Sequence, residues 1–141
     1  MTPSIPASSH MIMVAVCGGH MQGLPLNAEL VALGAIFVCE AKTAAIYRLF
    51  KLPQFEPPRP GLVRVNQPPG QAIAVEIWQL PLEAYGTLVA RVPPPLCFGT
   101  LTLSNGSQVQ GFLCESYAAE HGMDISAFGG WRAYLQSVQS S

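Results

Sequence analysis

Val14-Ala15-Val16-Cys17-Gly18-Gly19-His20-Met21-Gln22-Gly23-Leu24-Pro25-Leu26-Asn27 is an apolar run that ends in two glycines and a histidine. Residues 10–16 are apolar nearly throughout, which predicts a strand buried on both faces. Asn27 is expected to cap a short helix over residues 27–33, with Glu29 in its first turn and Gly34 stopping it. The loop between strand and helix is rich in glycine, so its backbone N–H groups can turn outward with no Cβ in the way. A loop of free N–H groups beside a helix start is a ready anion site. The rest of the chain reads as scaffold around it.

Working outward, residues 35–39 form a second apolar strand, and residues 46–52 alternate as in a sheet with one exposed face. Residues 53–61 are rich in proline, which cannot donate to a ladder, and read as an extended connection before a short strand at 62–65. Pro68-Pro69-Gly70 is a turn. Ile73, Val75 and Ile77 alternate with Ala74, Glu76 and Trp78, which predicts a central strand over 72–80. Pro81 then favours a helix over 82–92, stopped by Pro93-Pro94-Pro95. Residues 97–103 and 107–114 flank Asn105-Gly106, the sequence of a type I′ hairpin. A short helix at 115–121, a turn capped by Asp124 or Ser126, and a terminal helix at 131–138 complete the chain. Trp131, Tyr134 and Leu135 recur at helical spacing and read as core. Many short, mostly antiparallel strands with a few helices predict one α+β domain over 10–141, a small curled sheet or barrel. Residues 1–9, rich in Ser, Pro and Ala, are expected to fray.

Of the 141 residues, half are hydrophobic and only 11% are charged, the opposite of the balance that keeps a chain disordered. A net charge of -1 leaves no basic footprint for nucleic acid. No apolar run approaches the roughly 20 residues of a membrane helix. The first residues lack the basic start and long apolar run of a signal peptide, so a cytoplasmic location is expected. Cys17, Cys39, Cys97 and Cys114 show no close paired spacing. They are expected to be reduced thiols, with no metal and no cofactor; Cys17 stands out because it adjoins the glycine loop.

Four stretches together carry a family resemblance. They are the loop itself; Tyr47-Arg48-Leu49 with Pro60-Gly61-Leu62-Val63-Arg64-Val65; Val75-Glu76-Ile77-Trp78 with Leu80-Pro81; and Gly111-Phe112-Leu113-Cys114-Glu115 with Phe128-Gly129-Gly130-Trp131-Arg132-Ala133-Tyr134-Leu135. In this order, over residues 10–137, the chain resembles the C-terminal domain of allophanate hydrolase. The resemblance implies a γ-glutamylcyclotransferase-like fold, a small mixed β-barrel with flanking short helices. In that superfamily a Tyr-Gly-Ser-Leu loop holds the substrate through its N–H groups, and Cys17-Gly18-Gly19-His20 stands in its place. The cyclotransferases' glutamate falls near Ala90, so that acid is missing. In full-length allophanate hydrolases an amidase domain makes N-carboxycarbamate, and the C-terminal domain has been assigned its decarboxylation. The chain has no room for the amidase and lacks its Gly/Ser-rich signature, so it reads as a stand-alone version of the second domain.

His20 and Glu115 are the expected catalytic pair: the first ends the apolar strand and titrates near neutrality, the second ends a strand that should face the pocket. Gly18, Gly19, Met21, Gln22, Gly23 and Leu24 are the expected substrate loop. A carboxylate substrate wants a guanidinium. Among Arg48, Arg64, Arg91 and Arg132, the expected partners are Arg48 and Arg91. The resulting expectation is a site that binds a small carboxylate-bearing intermediate of urea degradation and decarboxylates it. Two alternatives stay open. One is a non-catalytic module that docks a separate amidase or forms a homodimer, since low charge and high apolar content suit buried contact surface. The other is a γ-glutamyl amine cyclotransferase, which would need a carboxylate in the pocket near Ala90.

Overall fold

The computed structural model describes residues 10–66 and 68–139, so the frayed segment expected at 1–9 lies outside the described residues. The apolar run forms β1 (Met11–Val16). It is followed by α1 (Asn27–Ala32), β2 (Ile36–Lys42), β3 (Tyr47–Leu52), β4 (Arg59–Arg64) and β5 (Ala74–Pro81). Then come α2 (Leu82–Arg91), β6 (Leu96–Thr102), β7 (Gln108–Cys114), β8 (Met123–Asp124) and α3 (Trp131–Gln139). Short 3-10 turns at Ser116–His121 and Ser126–Phe128 flank β8.

β1 sits in the middle of a five-stranded sheet ordered β2-β5-β1-β7-β6. It runs antiparallel to β5 and parallel to β7, the one parallel pair of the sheet. A second, antiparallel sheet is ordered β4-β3-β8. The two sheets and α1 to α3 enclose one main core around Val14, Val16, Leu30, Tyr47, Leu49, Leu80 and Leu101. The architecture is mixed α+β with short helices. Among the described residues, no helix is long and apolar enough to cross a membrane.

Several local expectations are corrected by packing. Only the second half of β1 is buried on both faces, and Met13 remains 41% exposed. Asn27 does not cap its own helix; its side chain turns back and donates to the His20 carbonyl at 2.8 Å. The hairpin turn is not type I′, because Asn105 keeps a negative φ and only Gly106 is left-handed, at φ 88°. Gly106 N–H bonds to the Leu103 carbonyl and Leu103 N–H to the Ser107 carbonyl, the pattern of a three-residue loop with a type I turn and a glycine bulge. Arg59, Pro60 and Gly61 belong to β4 rather than to the connection. Proline is tolerated there because β4 is the edge of its sheet.

The end of β1 touches the second sheet through Gly18. A Cβ at this position would lie 2.8 Å from Cγ of Pro60 and 2.9 Å from its Cδ. The proline ring belongs to a paired strand and cannot swing aside. Gly18→Ala is therefore expected to lower unfolding stability by ~1–3 kcal/mol, the usual range for overpacking, read as a lower midpoint in thermal or urea melts. Gly86→Ala, in the open on α2, is the matched control and is expected to stabilise slightly. Equal effects of the two changes would show that the Gly18–Pro60 approach does not matter.

Candidate functional site

The loop after β1 divides into two halves with separate jobs. In the second half most N–H groups are satisfied. Met21 N–H bonds to the Gly18 carbonyl, Leu24 N–H to the Met21 carbonyl and Leu26 N–H to the Gly19 carbonyl. In the first half, the N–H groups of Gly18, Gly19 and His20 have no acceptor among the described residues. These three residues, with Cys17, Leu26, Arg59, Pro60 and Phe112, line a cavity of about 30 Å³. That is room for a water or two beside the loop. Among the described residues no carboxylate lines it.

His20 is 7% exposed. Its ring stacks on Phe112 with centroids 4.8 Å apart, and Phe112 in turn packs on Phe98 at 4.3 Å. Nε2 lies 2.8 Å from Oε1 of Glu29, on α1. A neutral imidazole facing a carboxylate donates from Nε2, which leaves the Nδ1 lone pair as acceptor. Nδ1 has no partner among the described residues, and no buried side-chain nitrogen or oxygen there lacks one, so Nδ1 is reachable by solvent. Burial lowers the His20 pKa from its ordinary 6.5; the bond and charge of Glu29 oppose this, and Arg59 adds to it. The ring is thus held neutral near pH 7, with a carboxylate behind it to receive the imidazolium when it forms.

Arg91 joins the site only through Glu29. Its Nη1 is 3.7 Å from Glu29 Oε2 and half the side chain is exposed, so the pair is weak. Arg48 lies elsewhere: it is paired with Asp124 at 2.7 Å and bonded to the Pro69 carbonyl, tying β3 to β8 and the turn before β5. Glu115 does not face the cavity; it is exposed at the start of the 3-10 turn, with its N–H on the Pro95 carbonyl. Met21 is core, while Gln22 and Gly23 are exposed and Leu24 half-buried, and none of these four lines the cavity. The chain turns away at Met21, and a left-handed Gly23 at φ 78° completes the turn. Cys17 is buried and its thiol is pushed up to about 12, mainly by desolvation, so it packs rather than reacts. Ala90 is exposed on α2. Glu29 is the acid closest in role to the missing one, but both of its oxygens are engaged behind the ring, by His20 and Arg91.

Glu76 was hidden in the alternation of β5 and proves to organise the loop. It is 3% exposed. Oε1 accepts the Gln22 N–H at 2.9 Å and the Trp78 Nε1–H at 3.1 Å; Oε2 accepts from Arg132 Nη2 at 2.9 Å. Arg132 also donates to the Gln22 carbonyl. A lone acid inside the apolar run Val75–Leu80 was the available signal. For Arg59 and Glu29 nothing in the local pattern marked a site role.

The family model of the allophanate hydrolase C-terminal domain matches residues 12–136. The chain belongs to this family. It is 38% identical over 134 residues to the urea amidolyase of Saccharomyces cerevisiae, a match covering 93% of this chain. The chain spans about 7% of the length of the curated urea amidolyases it matches. Among solved structures, the Kluyveromyces lactis urea amidolyase superposes with TM-score 0.86 at 36% identity, over 91% of this chain and 8% of that one. A uropathogenic E. coli-specific protein superposes with TM-score 0.82 at 39% identity, over 89% of this chain and 96% of that one. A γ-glutamyl cyclotransferase at 10% identity shares the fold, with TM-score 0.54 over 74% of this chain and 67% of that one. The allophanate hydrolase C-terminal-like architecture is therefore also γ-glutamylcyclotransferase-like.

Two measurements check this geometry. An NMR titration of the His20 ring is expected to give a midpoint below 6.5, moving further down in Glu29→Gln, because the change removes the carboxylate charge that favours the imidazolium. Since the folded pKa lies below the unfolded one, His20 contributes stability above pH 6.5 that fades as pH falls toward the folded value. A midpoint above 6.5 would contradict the dominance of burial. Glu76→Gln keeps the shape but sets an amide against three donors, and is expected to cost ~2–4 kcal/mol with faster hydrogen exchange at the Gln22 amide.

Proposed function

We propose that the Gly18–His20 loop binds a small carboxylate and that the protein promotes decarboxylation of N-carboxycarbamate in urea degradation. The observation that carries this reading is the pairing of unengaged N–H groups with His20, whose Nε2 is bonded to Glu29 and whose Nδ1 is open. The family relationship supports the pathway.

The chemistry is simple to balance. The small cavity admits only one carboxylate end of the substrate, held by the loop N–H groups with Arg59 adding positive charge at the cavity wall, and the rest of the molecule stays at its mouth. The other carboxylate loses its C–N bond and leaves as carbon dioxide. The electron pair stays on nitrogen, which takes a proton from Nδ1 of the His20 imidazolium and yields carbamate. Glu29 steadies the imidazolium through Nε2, and water returns the proton. Glu115, expected to share the proton transfer, is assigned no part because it stands away from the cavity. The cyclotransferase alternative finds no support either, since no described carboxylate lines the cavity.

A second reading, the docking or assembly module, is favoured by the edge of the larger sheet. β2 is an edge strand and exposes Ile36 and Val38, a template on which an amidase partner or a second copy could seat.

The test supplies N-carboxycarbamate in situ by adding an amidase that hydrolyses allophanate, and follows carbon dioxide release. The protein is expected to accelerate it, with the rate rising as pH falls through the His20 pKa. His20→Ala is expected to lower the acceleration ~100-fold or more, the usual share of a proton-transfer residue. An unchanged rate in His20→Ala would rule out the proton-donor role.

A further inference from the structure

We propose that the groove beside the loop is a second binding region, made for the apolar body of a small amphipathic monocarboxylate whose carboxylate is held by Arg59. The groove lies between the loop, the proline-rich segment before β4 and α3, and has a volume of about 420 Å³. That falls within the ~300–1,000 Å³ of small-molecule sites. Phe55, Pro57, Trp131, Tyr134, Leu135 and Val138 make its wall almost wholly apolar.

The groove also holds two cations. The Arg59 guanidinium sits 5.1 Å from the Phe55 ring centroid, and Lys51 Nζ 5.7 Å from that of Tyr134. Among the described residues neither is ion-paired with a carboxylate. Glu56 lines the groove too, leaving one net positive charge, which suits a monoanion better than a dianion. Arg59, Gly19 and Leu26 line both this groove and the loop cavity, so the two spaces adjoin at these residues. N-carboxycarbamate has no apolar atoms to cover such a wall. An apolar wall with a stacked, unpaired guanidinium at its junction with an N–H-rich loop matches a molecule with one carboxylate and a hydrocarbon body. This inference goes beyond the decarboxylation reading and does not need it.

The experiment is calorimetric titration of the full chain with acetate, malonate and octanoate. Octanoate is expected to bind at least tenfold tighter than acetate, since each buried methylene strengthens binding severalfold. Val138→Asp places a repelling carboxylate at an exposed position of the wall. It is expected to remove most of the octanoate gain while malonate affinity stays within about twofold. Phe55→Ser provides a second variant with the same expectation for octanoate. Malonate binding with no gain for octanoate overturns the groove and leaves the loop reading intact. Octanoate binding without malonate binding supports the groove and counts against the loop reading. Octanoate binding that both variants leave unchanged, or no binding of any of the three, overturns the inference.

Discussion

A buried carboxylate holds the glycine loop of this protein in place. Glu76 lies out of water in the middle of the larger sheet, where an unpaired charge would cost several kcal/mol. Two of its partners come from distant parts of the chain, the Gln22 N–H of the loop and Arg132 of α3, and the third is the Trp78 indole of its own strand. Satisfying one acid therefore fixes the loop to the sheet and the terminal helix to both. The Phe-Gly-Gly-Trp-Arg segment is explained by the same need, because it brings the guanidinium to the acid while Trp131 enters the core.

That anchoring divides the loop. The half held by Glu76 is structural. The half before it, Gly18 to His20, is left beside a small cavity with N–H groups that no described residue accepts, and with a histidine braced by Phe112 and Glu29. Gly18 has no side chain because Pro60 of the second sheet presses against it. A contact between the two sheets is thus also a contact that shapes the cavity. Stability and site geometry depend here on the same few atoms.

Strands, helices and the hairpin were legible because each rests on local pattern: alternation along β3 and β5, proline at the start of α2, glycine after α1. The turn type at Asn105-Gly106 was misread because loop length, not the dipeptide, selected the turn. That Gly18, Gly19 and His20 line a cavity was legible as an expectation, because glycines ending a buried strand leave the backbone open there. Glu115 and Arg48 were misplaced because the end of a strand and a position on one say nothing about which side faces the cavity. Glu29, Arg59 and Glu76 carried no local mark beyond, for Glu76, an acid within an apolar run.

By itself the sequence determined the family, the order of elements and the place of the glycine loop after β1, since these follow from periodicity, backbone freedom and matching motifs. Only the tertiary structure decided what surrounds that loop. Glu29 reaches His20 nine residues away, Arg59 enters from the second sheet, and Glu76 meets Gln22 and Arg132 across separations of 54 and 56 residues. Such contacts depend on strand register and on how two sheets pack, and no local pattern in the chain encodes which side chain will stand opposite another.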